Sequence, residues 1–196
     1  MKILIKVAAI CLALTGCAIG NTVDYRAPVP ELAASTAKTV AVTVYDQRPY
    51  VLAGSNTPQW VGMIRGGFGN PFGVHTASGD PFAADMAVAI AAGLQAKGVK
   101  AVVASGYGQA TADRTLRVAV KDWRSDTMLR TQILYDLRAD VLDSSGAVLA
   151  SETAKSETIF STMGDMPDTT LGKVRKHFHL VVANLINSGP VLAALR

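Results

Sequence analysis

Cysteine is almost missing from this 196-residue chain: there are two, Cys11 and Cys17, and none follows residue 17. A body without thiols has no disulfide framework, no cysteine-held metal and no thiol nucleophile, so its fold stands on packing alone. Histidine is nearly as scarce, with three in the chain. His177 and His179 fall two apart on a predicted helix and point roughly 200° from each other, whereas a helical ligand pair needs i, i+4 spacing. They read as solvated or boundary side chains. His75 sits in a loop with Asp80 as its one nearby carboxylate, so no metal and no cofactor is expected. Neither sign of charge dominates, with 19 Lys and Arg against 15 Asp and Glu. Nowhere do basic residues cluster with interleaved aromatics, which excludes a nucleic-acid groove. Beyond the first residues no apolar run reaches 18 residues, so no transmembrane helix is expected after them.

What is present begins at the amino terminus. Lys2 and Lys6 precede an apolar run, Val7 to Leu14, that is too short to span a bilayer, and small residues follow. The run closes on Leu14-Thr15-Gly16-Cys17, which resembles the bacterial lipobox. That resemblance implies a diacylglycerol on the Cys17 sulfur, cleavage before it, and acylation, such as palmitoylation, of the new amino group. An ordinary secretory signal cut elsewhere is the alternative. Each buried methylene of such chains contributes about 0.8 kcal/mol, so three chains hold a protein on a membrane durably. Ala18, being other than Asp, implies the outer membrane by the sorting rule of enterobacterial-type lipoproteins. Loss of residues 1–16 takes Lys2 and Lys6 with it and lowers the net charge from +4 to +2.

The division expected from sequence is a signal over residues 1–16, a lipidated cysteine and flexible tether over 17–38, and a single domain over 39–190. Pro28, Pro30 and the absence of any period mark the tether. Its length allows a reach of roughly 65 Å extended, or about 25 Å as a coil.

The domain opens with Thr39 to Asp46, where Val40, Val42 and Val44 alternate with small or polar residues as in a strand. Tyr50 to Gly79 is rich in glycine, carries Trp60, Phe68 and Phe72, and reads as a long loop with room for a small hairpin. Asp80-Pro81 predicts a helix start, with Phe82, Met86, Ala89, Ile90, Gly93 and Leu94 as its core stripe and Gly98 as its stop. A short strand spans Val99 to Ala104, and Gly106 to Asp113 is a turn region. Leu116, Val118 and Val120 predict the first strand of a meander, Arg124 to Thr127 its turn, and Thr131 to Val141 a long second strand. Asp143 to Gly146 reverses the chain into a polar edge strand, Val148 to Thr158. A last helix is capped by Asp168 or Thr169 and closed by Gly189-Pro190. The expected fold is α+β: a two-layer α/β sandwich with a mixed, mostly antiparallel sheet and two helices on one face. Its β-α-β start makes the first two strands parallel.

Several motifs dissolve on inspection. Gly66-Gly67-Phe68-Gly69-Asn70-Pro71-Phe72-Gly73 lacks the Gly-Lys-Ser/Thr ending of a phosphate loop. Ser35-Thr36-Ala37-Lys38 matches Ser-x-x-Lys, but lies in the tether without partner motifs. Asp136, Arg138 and Asp140 share the sheet face opposite Leu137 and read as a solvated face. Asp46 and Arg48 point to one side of a strand end, where they either pair with each other or clamp a ligand. In the long loop, Trp60, Arg65, Phe68 and Phe72 are of types enriched at binding hot spots. They either contact a partner or fold back as a lid.

The lipobox, the proline-containing tether, the Val-rich strand ending in Asp46-Gln47-Arg48, the helix closing on Lys97-Gly98, the meander and the final amphipathic helix together resemble the YajG family of bacterial lipoproteins. More distantly the architecture looks like the envelope lipoproteins that accompany transport and lipopolysaccharide-assembly machines. The resemblance implies a non-enzymatic component of the bacterial envelope, lipid-anchored to the outer membrane and facing the periplasm. Its partners would be the membrane, through the N-terminal lipid, and an envelope protein or a lipid. Expected functions are therefore a binding or assembly module, a lipid-binding accessory of a transport system, or an envelope hydrolase.

Overall fold

The computed structural model describes residues 21–104 and 112–196. The lipobox with Cys17, and most of the turn region expected at 106–113, lie outside them. Eight strands form one open sheet: β1 (Asn21–Val23), β2 (Thr39–Asp46), β3 (Trp60–Arg65), β4 (Pro71–Thr76), β5 (Lys100–Val103), β6 (Arg114–Thr127), β7 (Arg130–Asp143) and β8 (Val148–Ser161). Four helices accompany it: α1 (Pro49–Leu52), α2 (Phe82–Gln95), α3 (Pro167–Ile186) and α4 (Gly189–Leu195). The architecture is the α+β sandwich expected, with β5 parallel to β2 across the β-α-β unit. No single helix among the described residues is long and apolar enough to cross a membrane.

Strand β6 organises the sheet. One edge pairs antiparallel with β7 along its length, and β7 pairs in turn with the polar edge strand β8. The other edge is shared, with β2 parallel to its first half and β3 parallel to its last three residues. The expected turn at Arg124 to Thr127 is instead strand. A bulge between Val120 and Asp122 inserts one extra residue, Lys121. The inward face therefore switches from Leu116, Val118 and Val120 to Trp123, Ser125 and Thr127, all buried. Read without the bulge, the alternation breaks after Lys121 and mimics a turn.

The stretch assigned to a tether belongs to the fold from Asn21 onward. Strand β1 lies parallel on β4, and Tyr25 is fully buried in an aromatic cluster with Phe82, Trp123 and Phe178. The Trp123 indole N–H donates to the Tyr25 hydroxyl at 3.0 Å. Arg26 pairs with the buried Asp85 of α2 at 2.7 Å, and its guanidinium also draws the Asp80 carboxylate. That contact takes Asp80 away from the helix cap it was expected to make, and Pro81 stands at the cap position. Further on, Pro30 and Leu32 cross α2 at Gly93, where a Cβ would meet the Pro30 carbonyl at 2.9 Å. Asn187, at the end of α3, then accepts from the Ala33 N–H at 2.7 Å and donates to the Glu31 carbonyl at 3.0 Å. Residues 21–34 are a strap buried through two short runs, Val23 with Tyr25 and Pro30 with Leu32 and Ala34, and runs this brief leave little period in the sequence.

The last helix also differs from expectation at both ends. Pro167 begins α3, with Met166 rather than Asp168 or Thr169 at the cap. Gly189-Pro190 does not end the domain but starts α4, whose Val191 and Leu195 are buried.

Within α3, His179 is buried and neither ring nitrogen has a hydrogen-bond partner. Burial, reinforced by the Arg175 charge, pushes it down to about 4. In the unfolded chain it titrates near its ordinary value of about 6.5, so between these values the unfolded state takes up a proton that the folded state refuses. Stability is therefore whole above about pH 6.5 and falls as pH drops towards 4, by roughly 1–3 kcal/mol. His177, also lowered by burial, adds in the same direction. His179→Leu should flatten most of this acid slope in urea titrations run between pH 4 and 7, while keeping full stability at pH 7.5 because no hydrogen bond is lost.

Candidate functional site

The region between Tyr50 and Gly79 is not a loop but a docked hairpin. Tyr50 lies in α1, and β3 and β4 pair antiparallel with a bulge between Trp60 and Gly62. Gly62 sits opposite Ser125 of β6 with φ of +151°, and a Cβ there would run into the Ser125 backbone. Glycine lets β3 approach closely enough to join the sheet in parallel. Alternation was hidden from sequence reading because both the bulge and the glycines interrupt it.

Arg48 fixes the base of this hairpin. Its side chain is fully buried and forks onto Asp46, Nε to Oδ1 at 2.8 Å and Nη2 to Oδ2 at 2.6 Å. The remaining donors go to the Trp60 carbonyl at 2.7 Å and the Pro58 carbonyl at 2.8 Å. The guanidinium also lies 5.1 Å from the centre of the Phe82 ring. These contacts all lie within the domain, so of the two readings of Asp46 and Arg48 the geometry favours the structural pair over the ligand clamp.

The four loop residues singled out for a partner do not form one surface. Trp60 is buried, edge-on to Tyr50 at 5.3 Å. Arg65 is half-exposed and forks onto Asp126 of β6 at 2.8 and 2.5 Å, which ties the distal hairpin to the sheet. Phe68, at the tip, is 99 % exposed and Phe72 is 55 % exposed. Alternation along β3 and the inward pull of the core separate Trp60 from the pair of phenylalanines. Trp60 therefore covers the core as a lid would, while Phe68 and Phe72 project from it.

Other exposed apolar side chains gather near that tip. Ile64 is level with Thr127, so the hairpin tip extends past the end of β6 and stands beside the β6–β7 turn, which carries Met128 and Leu129. The Thr162 N–H donates to the Leu129 carbonyl at 3.2 Å, which places Met163 and Met166 next in line. All four are exposed. Sequence reading missed them because they belong to two separate connections, between β6 and β7 and between β8 and α3, which pairing register brings to one end beside the hairpin tip.

The outer face of the sheet is charged and internally matched. Arg117 and Arg138 both pair with Asp140, at 3.0 and 2.9 Å, and the Ser151 hydroxyl donates to it at 2.6 Å. Burial pushes Asp140 up, but these donors together outweigh it and hold the carboxylate below its usual range. Lys155 pairs with Asp136 and Arg124 with Asp122. Asp140 is therefore held ionised by its paired donors and supplies no general acid. Among the described residues no group of three or more His, Asp or Glu side chains is placed to hold a metal.

No family model matches the chain, and no curated protein does. Among solved structures it is similar to protein XCC0632 from Xanthomonas campestris, assigned to the DUF330 family model, with a TM-score of 0.55 and 14% identity over 88% of this chain and 92% of that one. It is also similar to PelC from Paraburkholderia phytofirmans, at 0.48 and 17% over 83% and 92%. A further similarity is to lipoprotein B from Nitrosomonas europaea, at 0.37 and 10% over 81% and 90%. The first of these likenesses establishes the fold alone: the chain has the architecture of the Xanthomonas DUF330 protein, and structures resembling it include bacterial lipoproteins.

Proposed function

We propose that this protein is a lipid-anchored component of the bacterial envelope, on the outer membrane and facing the periplasm, that works as a non-enzymatic binding or assembly module. The observation that carries the reading is Leu14-Thr15-Gly16-Cys17 at the end of a short apolar leader, four residues before the ordered strap begins at Asn21. Ala18 supports export to the outer membrane. The order of elements, with Asp46-Gln47-Arg48 closing the strand Thr39–Asp46, supports a likeness to the YajG-type lipoproteins. Its contact surface in this reading is the apolar end around Phe68 and Phe72, the exposed part of the set chosen from sequence. The lipid-accessory alternative asks for an acyl crevice between helices and sheet, where the structure has packed Tyr25, Phe82, Trp123 and Phe178.

Fractionation tests the anchor. The parent protein should sediment with membranes, resist salt and high-pH washes, and be released by detergent. Cys17→Ser should stay unprocessed, or leave with the soluble periplasmic fraction if it is cut elsewhere. Identical processing and fractionation of the two would defeat the reading.

A further inference from the structure

The strap fixes the direction in which the chain leaves the domain, and that direction meets the apolar end. Strand β1 is parallel to β4 with Asn21 level with Val74. The chain therefore enters β1 from the side of the hairpin tip. Asn21 is four residues on from Cys17, so the two Cα atoms lie at most about 14 Å apart. Val74 is likewise four residues on from Asn70 at the tip, a rise of about 13 Å along a strand. The hairpin is as tall as the anchor's longest reach. If Cys17 carries lipid, the tip lies within reach of the bilayer surface. At that end Leu129 is 62 %, Met163 74 % and Met166 70 % exposed, beside Phe68 and Phe72. Arg130 is exposed there too, placed to meet a lipid phosphate. Apolar and aromatic groups edged by a cation are the composition of a surface that lies in the headgroup region.

We propose that this end of the sheet is a membrane-docking surface, in which Phe68 and Phe72, flanked by Met128, Leu129, Met163 and Met166, insert at the headgroup boundary of the bilayer that holds the Cys17 anchor. The proposal rests on the anchor reading and names the partner of the contact surface assigned above. It places the domain against the membrane, its long sheet rising from the surface, rather than at the end of a free tether. The opposite end, at the β7–β8 turn, lies about 40 Å away along the strands and faces away from the lipid.

The test uses the absence of other thiols in the mature chain. Full-length lipidated protein carrying Phe68→Cys, with Ser144→Cys in the β7–β8 turn as control, is purified from membranes and spin-labelled. It is then reconstituted in vesicles of phosphatidylethanolamine and phosphatidylglycerol. The label at 68 should be several-fold more accessible to oxygen, relative to a water-soluble nickel reagent, than the label at 144. Equal exposure of both labels to nickel, in protein whose mass shows the acyl chains, would overturn docking while leaving the anchor standing. Shielding of 68 from both reagents with dipolar broadening between labels would assign the surface to a second copy of the chain and equally overturn it. Protein without acyl groups that fails to float with vesicles would remove the anchor, and docking with it.

Discussion

Arg48→Ala should lower the unfolding free energy by about 3–5 kcal/mol, a loss of roughly 10 °C in melting temperature for a domain of this size. The guanidinium is fully buried, and its removal leaves the Asp46 carboxylate without its counter-charge and the Pro58 and Trp60 carbonyls without their donor. Losing one member of a buried pair costs more than losing both, because the remaining charge cannot be solvated. The double change Asp46→Asn with Arg48→Met should therefore recover a good part of the loss. Arg48→Lys should recover little, since an ammonium cannot fork onto a carboxylate and reach two carbonyls together. Urea unfolding of the four proteins checks this order. A ligand clamp predicts a different pattern, in which Arg48→Ala keeps full stability, and a loss under about 1 kcal/mol would restore that reading.

Tyr25→Ala should cost as much, about 3–5 kcal/mol, although the residue lies in the stretch that sequence assigns to a tether. Its ring touches Phe82, Trp123 and Phe178 with centroids 4.9, 6.1 and 4.7 Å away. Truncation opens a cavity among three large rings that are held by α2, β6 and α3 and cannot collapse together. Tyr25→Phe keeps the ring and removes only the acceptor of the Trp123 indole N–H, leaving a buried donor unpaired at a cost of about 1–3 kcal/mol. The two variants thus separate packing from hydrogen bonding. Were residues 21–38 a free tether, both would unfold with the parent in chemical denaturation, within about 0.5 kcal/mol.

These two residues also show what the sequence could and could not convey. Regular elements with an uninterrupted period were legible: β2, α2 and β7 lie where alternation or helical spacing put them, and the polar composition of β8 announced an edge. The Asp46 and Arg48 pairing was visible as a two-residue spacing, but not its burial, which depends on the carbonyls of residues 58 and 60 arriving through a separate turn. Three features escaped for one reason, that a single residue changes the local period. Lys121 forms a bulge and hides the second half of β6, Gly62 admits β3 to the sheet, and Gly189-Pro190 starts a helix where it resembles a stop. The strap escaped for another reason. Its buried residues fall in two short alternating runs, Val23 with Tyr25 and Pro30 with Leu32 and Ala34, each too brief and too mixed in chemistry to announce a strand.

The site was legible in part for the same physical cause. Phe68 and Phe72 could be chosen because a glycine-rich segment with exposed aromatics is conspicuous. Met128, Leu129, Met163 and Met166 could not, since each is an ordinary turn residue until the β3–β6, β6–β7 and β7–β8 registers bring the turns to one end. The strap then changes the meaning of that end. With only three residues between Cys17 and Asn21, the predicted stand-off of tens of ångströms contracts to about 14 Å.

Anchor, strap and apolar end all turn on the fate of Cys17, and intact-mass measurement of the mature protein extracted from envelope membranes reads it directly. The expected species begins at Cys17 and carries a diacylglyceryl thioether and an N-acyl chain, its mass falling by the two ester-linked acyl groups on alkaline hydrolysis while the S-glyceryl group and the N-acyl amide remain. A chain that retains residues 1–16, or one cut elsewhere with an unmodified thiol at residue 17, would contradict the account.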